Sequence, residues 1–85
     1  MKTVQKKTMD ELIRLVRKYH ATGDVDILPA KNDTADQLAG QAFNGDTLHW
    51  LEFTDIASAA VRLDKNTTNQ QIYRMFEIVG IEVPE

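Results

Sequence analysis

The sequence predicts an all-α fold, a small bundle of about four helices, and three observations carry that prediction. Apolar residues recur at three- and four-residue spacing in four separate stretches, Thr or Asp residues suited to capping stand at their starts, and glycine or a polar break follows them. Together they place helices at approximately 8–22, 34–43, 47–63 and 67–79 of a single domain covering residues 1–85. A chain of 85 residues has material for one core and cannot divide it further.

Thr8-Met9-Asp10-Glu11 has the form of a capping box, in which the hydroxyl accepts from the Glu11 amide and the carboxylate reaches back to the Thr8 amide. At helical spacing Met9, Leu12, Ile13, Leu15, Val16, Tyr19 and His20 gather on one side of the first helix, with Asp10, Glu11, Arg14, Arg17 and Lys18 on the other. Gly23 supplies a left-handed stop, and Arg17, Lys18 and His20 stand near the negative end of the helix dipole. Residues 24–33 read as a long surface loop, because Val25 and Ile27 alternate like a short strand but Pro29 interrupts them. Thr34 with Gln37 then opens the second helix, whose apolar face is Ala35, Leu38, Ala39, Ala42 and Phe43. Gly40 costs that helix about 1 kcal/mol of propensity.

Asn44-Gly45 marks a turn, and Asp46 or Thr47 can cap the third helix. Its wheel collects His49, Trp50, Phe53, Ile56, Ala57, Ala60, Val61 and Leu63 opposite Asp55, Ser58 and Arg62. The same Asn-Gly pair could close a hairpin, but strand alternation fails across Trp50-Leu51 and again across Ser58-Ala59-Ala60-Val61. Asp64-Lys65-Asn66 is a polar break, and Thr67 with Gln70 caps the fourth helix, with Ile72, Tyr73, Met75, Phe76 and Val79 inward and Gln70, Arg74 and Glu77 outward. Gly80 ends it, and Pro84 keeps the last residues extended, so that Val25–Leu28 and Ile81–Val83 are placed to pair as a minor two-stranded ribbon.

The net charge of −3 conceals an asymmetry: residues 1–22 carry six Lys or Arg against two acids, and residues 23–85 carry four against eleven. The larger acidic part opposes the field of the basic start within about a Debye length, which argues against nucleic acid as a partner. No apolar run approaches the roughly 20 residues of a membrane span, and with no cysteine and no apolar leader the chain reads as a soluble cytoplasmic protein. Lacking cysteine, it also lacks disulfides, thiolate metal sites and a cysteine nucleophile.

Candidate chemistry is thin. The run from Asp64 begins like a calcium loop, but Asn69 stands where glycine is needed and Met75 where the bidentate acid is needed, and Ala35 fails the run from Asp24 in the same way. His20 and His49 have no second histidine or carboxylate pair at ligand spacing, and Ser58, the single serine, lies on the wet face with no base nearby in sequence. Two features stand out instead. Leu48 and Leu51 project near the polar arc of the third helix, and Ile78 lies outside the stripe of the fourth. Either the 24–33 loop buries them, or they form the apolar centre of an interface rimmed by Glu52 and Asp55.

Gly45-Asp46-Thr47-Leu48-His49-Trp50-Leu51-Glu52-Phe53 resembles the start of the second helix of acyl carrier proteins, whose pattern Asp-Ser-Leu, two free positions, an aliphatic residue, Glu and an apolar residue is met by Asp46, Leu48, Leu51, Glu52 and Phe53. The resemblance covers nine residues and implies a preceding helix, a long loop, and phosphopantetheine attached at the position of Thr47, where that family has serine. From the residues alone the chain is expected to be a non-enzymatic interaction module, an adaptor, regulator or inhibitor of a larger protein. Its partner-binding residues would be Leu48, Leu51, Glu52, Asp55 and Ile78, with no metal and no cofactor; the carrier-like reading with Thr47 is the alternative.

Overall fold

In a computed structural model, which describes residues 2–84, the chain is a helical bundle closed by a short parallel ribbon. The order is β1 (Lys2–Thr3), α1 (Lys6–Thr22), a 3-10 turn (Val25–Ile27), α2 (Leu28–Ala42), α3 (Trp50–Leu63), α4 (Asn69–Ile78) and β2 (Ile81–Glu82). Helices α1, α2 and α3 pack against one another pairwise, and α4 closes one side before running into β2.

The core follows the helical spacing. Met9, Leu12, Ile13 and Val16 of α1 meet Ala35, Leu38, Ala39 and Ala42 of α2 and Phe53, Ala57, Ala60 and Val61 of α3. Helix α4 adds Ile72, Tyr73 and Phe76, and the Phe76 ring stacks on Phe53 with centroids 5.6 Å apart. Gly23, at φ 68°, ends α1 in the left-handed region and donates its N–H to the Tyr19 carbonyl at 2.7 Å. Asn44 and Gly45, both at positive φ, turn the chain between α2 and α3, so the Asn-Gly pair joins helices and closes no hairpin.

Several expected boundaries move. The 24–33 loop is mostly helix: Asp24 caps a 3-10 turn by accepting from the Asp26 N–H at 2.9 Å, and Pro29 stands in the first turn of α2. A proline there sacrifices only an N–H that has no intrahelical acceptor, so it starts this helix where it was read as a break. Helix α1 begins before the Thr8 box. The Gln5 N–H is met by Gln41 Oε1 at 2.9 Å, Thr8 is buried inside the helix, and Glu11 turns to Arg14. Helix α3 starts at Trp50, and α4 is capped one residue later than expected, by Thr68 and Gln71 in a complete capping box. Leu63 and Val79, assigned to inward stripes, are 83% and 57% exposed, because each lies where its helix ends and the chain turns away.

The ribbon keeps its C-terminal strand and changes its partner. Ile81–Glu82 pairs in parallel with Lys2–Thr3, in the register Lys2 to Ile81 and Thr3 to Glu82, and Val25–Ile27 takes no part. The Lys2 N–H donates to Gly80 O and the Val4 N–H to Glu82 O, both at 3.1 Å, and Val4, Ile81 and Val83 are buried beneath the pairing.

Helix α4 is tied to α1 by polar contacts. Asp10 accepts from Tyr73 Oη, from Asn69 Nδ2 at 3.2 Å and from Lys6 Nζ at 2.9 Å. Burial works to raise the Asp10 pKa, but the hydrogen bonds from Tyr73, Lys6 and Asn69 outweigh it and leave the group below its ordinary value of 3.8. A depressed folded pKa gives stability that is fully present above the unfolded value and is lost as pH falls through the folded one. Tyr73→Phe is therefore expected to cost about 1 kcal/mol near neutral pH, and its deficit against the parent in urea unfolding should shrink below pH 3.8. A deficit that stays constant on acidification would show that the ionised carboxylate contributes nothing to this contact.

Candidate functional site

The α3–α4 side of the bundle is where apolar side chains are left over. A ten-residue α4 buries Ile72, Tyr73 and Phe76, so its opposite flank cannot reach the core. Met75 and Ile56 are only partly buried, and Ile78 and Val79 are exposed. The result is a shallow groove of about 380 Å³ lined by Asp55, Ile56, Ala59, Met75, Ile78 and Val79, almost wholly apolar apart from Asp55. Asp55 is not isolated: Lys31 on α2 lies near enough to feel its charge, although burial, the larger effect, holds the Lys31 ammonium below its ordinary range.

Leu48, Leu51 and Ile78 are 82%, 52% and 84% exposed. The segment that could have covered them is occupied with forming α2, whose buried residues face α1 and α3. Of the five expected partner-binding residues, Asp55 and Ile78 line the groove together. Leu51 and Glu52 stand one turn before Asp55 on α3, and Leu48 precedes the helix.

The head of α3 is built separately. Asp46 Oδ1 accepts from the Leu48 N–H at 2.9 Å, and Thr47 O accepts from the Trp50 N–H at 3.1 Å, so the turn presents Leu48 outward. His49 stacks on Phe43 with centroids 4.2 Å apart and approaches Glu52 Oε1 to 3.2 Å, while the Lys2 ammonium lies over the other ring, Phe43, at 4.6 Å from its centroid. This histidine is thus spoken for by an aromatic stack and a carboxylate of its own helix. Thr47 is exposed in the turn before α3, and the long loop that the carrier resemblance implied ahead of it is helix α2.

Sequence reading missed Ile56, Ala59, Met75 and Val79 as groove residues. Ile56, Met75 and Val79 fit the inward stripes; the narrowness of the α3–α4 contact leaves Ile56 and Met75 accessible, and the end of α4 leaves Val79 so. Among the described residues no group of three or more His, Asp or Glu side chains could hold a metal ion.

Exposure has a direct consequence for stability. Leu48→Gln and Ile78→Gln should each leave the urea unfolding free energy within about 0.5 kcal/mol of the parent. Phe53→Ala, which empties a fully buried site stacked on Phe76, should cost about 3–5 kcal/mol. A loss above about 2 kcal/mol for either glutamine variant would mean that its leucine or isoleucine is packed in solution. No family model matches the chain, and neither a curated protein nor a solved structure matches it.

Proposed function

We propose that the chain is a non-enzymatic interaction module that receives an apolar helix of a larger protein in the α3–α4 groove. The observation that carries this reading is the continuous apolar lining of Ile56, Ala59, Met75, Ile78 and Val79, left open beside a fully packed core. Apolar surface gains about 25 cal/mol for each Å² removed from water, so a groove of this kind favours an occupant. A groove between two helices suits an amphipathic helix, whose side chains at i, i+3, i+4 and i+7 enter it as a row.

Charge narrows the partner. Asp55 on the lip and Glu52 one turn earlier put carboxylates on the α3 side, and residues 23–85 as a whole carry eleven acids against four cations. The matching helix would carry Lys or Arg beside its apolar row, which speeds encounter more than it strengthens the complex. Adaptor, regulator and inhibitor roles all use such a contact.

The test is capture of partners by the immobilised full chain beside Leu51→Glu and Ile78→Glu variants whose folding has been checked by circular dichroism. Ile78→Glu is expected to weaken capture about tenfold or more, and Leu51→Glu by less, since it stands one turn before Asp55 and does not line the groove. Retention of every partner by both variants would sink the reading. A homodimer dispersed by Ile78→Glu, seen by light scattering, would replace the larger protein with a second copy of this chain.

The carrier-like alternative rests on Thr47, which is exposed and accessible. Its test is intact mass after incubation with coenzyme A and a broad phosphopantetheinyl transferase. The interaction reading expects no mass gain under conditions that fully modify a serine carrier, and modification at Thr47 would displace it.

A further inference from the structure

The C-terminal ends of α1 and α3 meet the α3–α4 loop around a second hollow, of about 460 Å³, which shares no lining residue with the apolar groove. Its walls are Arg17, His20, Ala21, Val61, Arg62 and Lys65. Three cations and an imidazole therefore converge on one depression, and among the described residues no acid lines it. Elsewhere on α1 two of the cations are paired, Lys6 with Asp10 at 2.9 Å and Arg14 with Glu11. Among the described residues Arg17, Arg62 and Lys65 form no ion pair. The one acid beside them in sequence, Asp64, turns its carboxylate to the Asn66 N–H at 2.9 Å.

Cations at helix C-termini ordinarily offset the helix dipole, and that explanation falls short here. Each helix end is equivalent to about half a negative charge, so two ends supply about one, against three fixed positive charges. Both ends are also capped by backbone: Tyr19 O by the Gly23 N–H at 2.7 Å and Ala60 O by the Asp64 N–H at 3.3 Å. Arg17 is fixed in its wall of the hollow. Arg17 donates to Lys65 O at 3.3 Å, to Thr67 O and to Asn69 Oδ1 at 3.1 Å, which fastens the loop carrying Lys65 onto α1. An anion in the hollow would offset the mutual repulsion of the cations that line it.

We propose that this hollow binds a phosphate monoester carrying an apolar or aromatic body. The monoester brings close to two negative charges, which suits several cations better than a carboxylate does, and the Arg62 fork can meet two of its oxygens at once. Arg17 has most of its donors committed to the loop and contributes charge and rigidity more than contacts. The remaining wall is apolar, formed by Ala21, Val61 and the stems of the arginines, and has room for more than a bare phosphate.

The experiment is an amide-shift titration of the isotope-labelled full chain with phenyl phosphate, inorganic phosphate, a phosphotyrosine tripeptide and an oligothymidylate. Phenyl phosphate should give saturable shifts centred on Ala21, Val61, Arg62 and Lys65 and bind about tenfold more tightly than inorganic phosphate. Arg62→Ser and Lys65→Ser, both at exposed side chains, should each weaken it about tenfold while the rest of the spectrum keeps its dispersion, and Arg14→Ser should leave it unchanged. Tighter binding of the tripeptide than of phenyl phosphate would support a protein-borne monoester, and weaker binding a free small molecule. Shifts that do not saturate, that survive both Arg62→Ser and Lys65→Ser, or that the oligothymidylate diesters produce equally well would overturn the assignment.

Discussion

Close approach of three helices through alanine is the constraint on which the other features depend. Ala35, Ala39 and Ala42 on α2 and Ala57 and Ala60 on α3 are all buried, and they keep the facing surfaces shallow. The larger side chains of α1, together with Leu38 and Phe53 and with Ile72 and Phe76 from α4, then fill the centre. The three longer helices meet pairwise, and the fourth reaches this centre from one side. Helix α4 consequently lies against the outside, contributing Ile72, Tyr73 and Phe76 and keeping its remaining apolar residues on the surface. The groove is the remainder of a core that three helices nearly complete.

A helix attached through so few apolar contacts needs other anchors, and the structure supplies them on three sides. Its start is fixed by the Thr68–Gln71 box, with Gln71 N–H to Thr68 Oγ1 at 3.2 Å and Thr68 N–H to Gln71 Oε1 at 2.9 Å. Its inner flank is held through Tyr73 and Asn69 to Asp10, and its end runs directly into the ribbon with β1. The ribbon is only two residues long on each strand and would be marginal alone. It persists because Val4, Ile81 and Val83 are buried under it, so hydrophobic burial and not strand pairing holds the chain ends together.

Much of this was legible because burial on a helix repeats with a short period. Met9, Leu12, Ile13 and Val16, and likewise Phe53, Ala57, Ala60 and Val61, can be assigned to the core from spacing alone, and they are there. Failures arise where a distant group decides a local outcome. Thr67-Thr68 and Gln70-Gln71 offer two capping boxes one residue apart, and sequence cannot choose between them. The structure commits Thr67 to the loop, its N–H donating to Asp64 O at 3.0 Å and its carbonyl accepting from Arg17, which leaves Thr68 as the cap. The start of α1 is set in the same way by Gln41 on α2, and the strand partner of Ile81–Glu82 lies at the other end of the chain. Pro29 is a different kind of miss, since the same fixed φ that ends a helix in its interior begins one in its first turn.

Residues of the candidate surfaces were legible in proportion to how far they depart from the period. Leu48, Leu51 and Ile78 break it and could be singled out, whereas Ile56 and Met75 obey it and looked like ordinary core. The cationic hollow was legible only as separate charges, Arg17 and His20 at a helix end, Arg62 on a wet face and Lys65 in a polar break, because they meet through the crossing of α1 and α3. Helix α3 is the element common to every surface described. Phe53, Ala57 and Ala60 face the core, Asp55, Ile56 and Ala59 face the groove, and Val61 and Arg62 face the hollow. With 3.6 residues to the turn, a helix of fourteen residues can serve three neighbours only if no residue type is free to drift by one position. A one-residue shift in α3 would put Arg62 in the place of Val61 or, in the other direction, Glu52 in the place of Phe53, so the packing that fixes the register of this helix also fixes the composition of both surfaces.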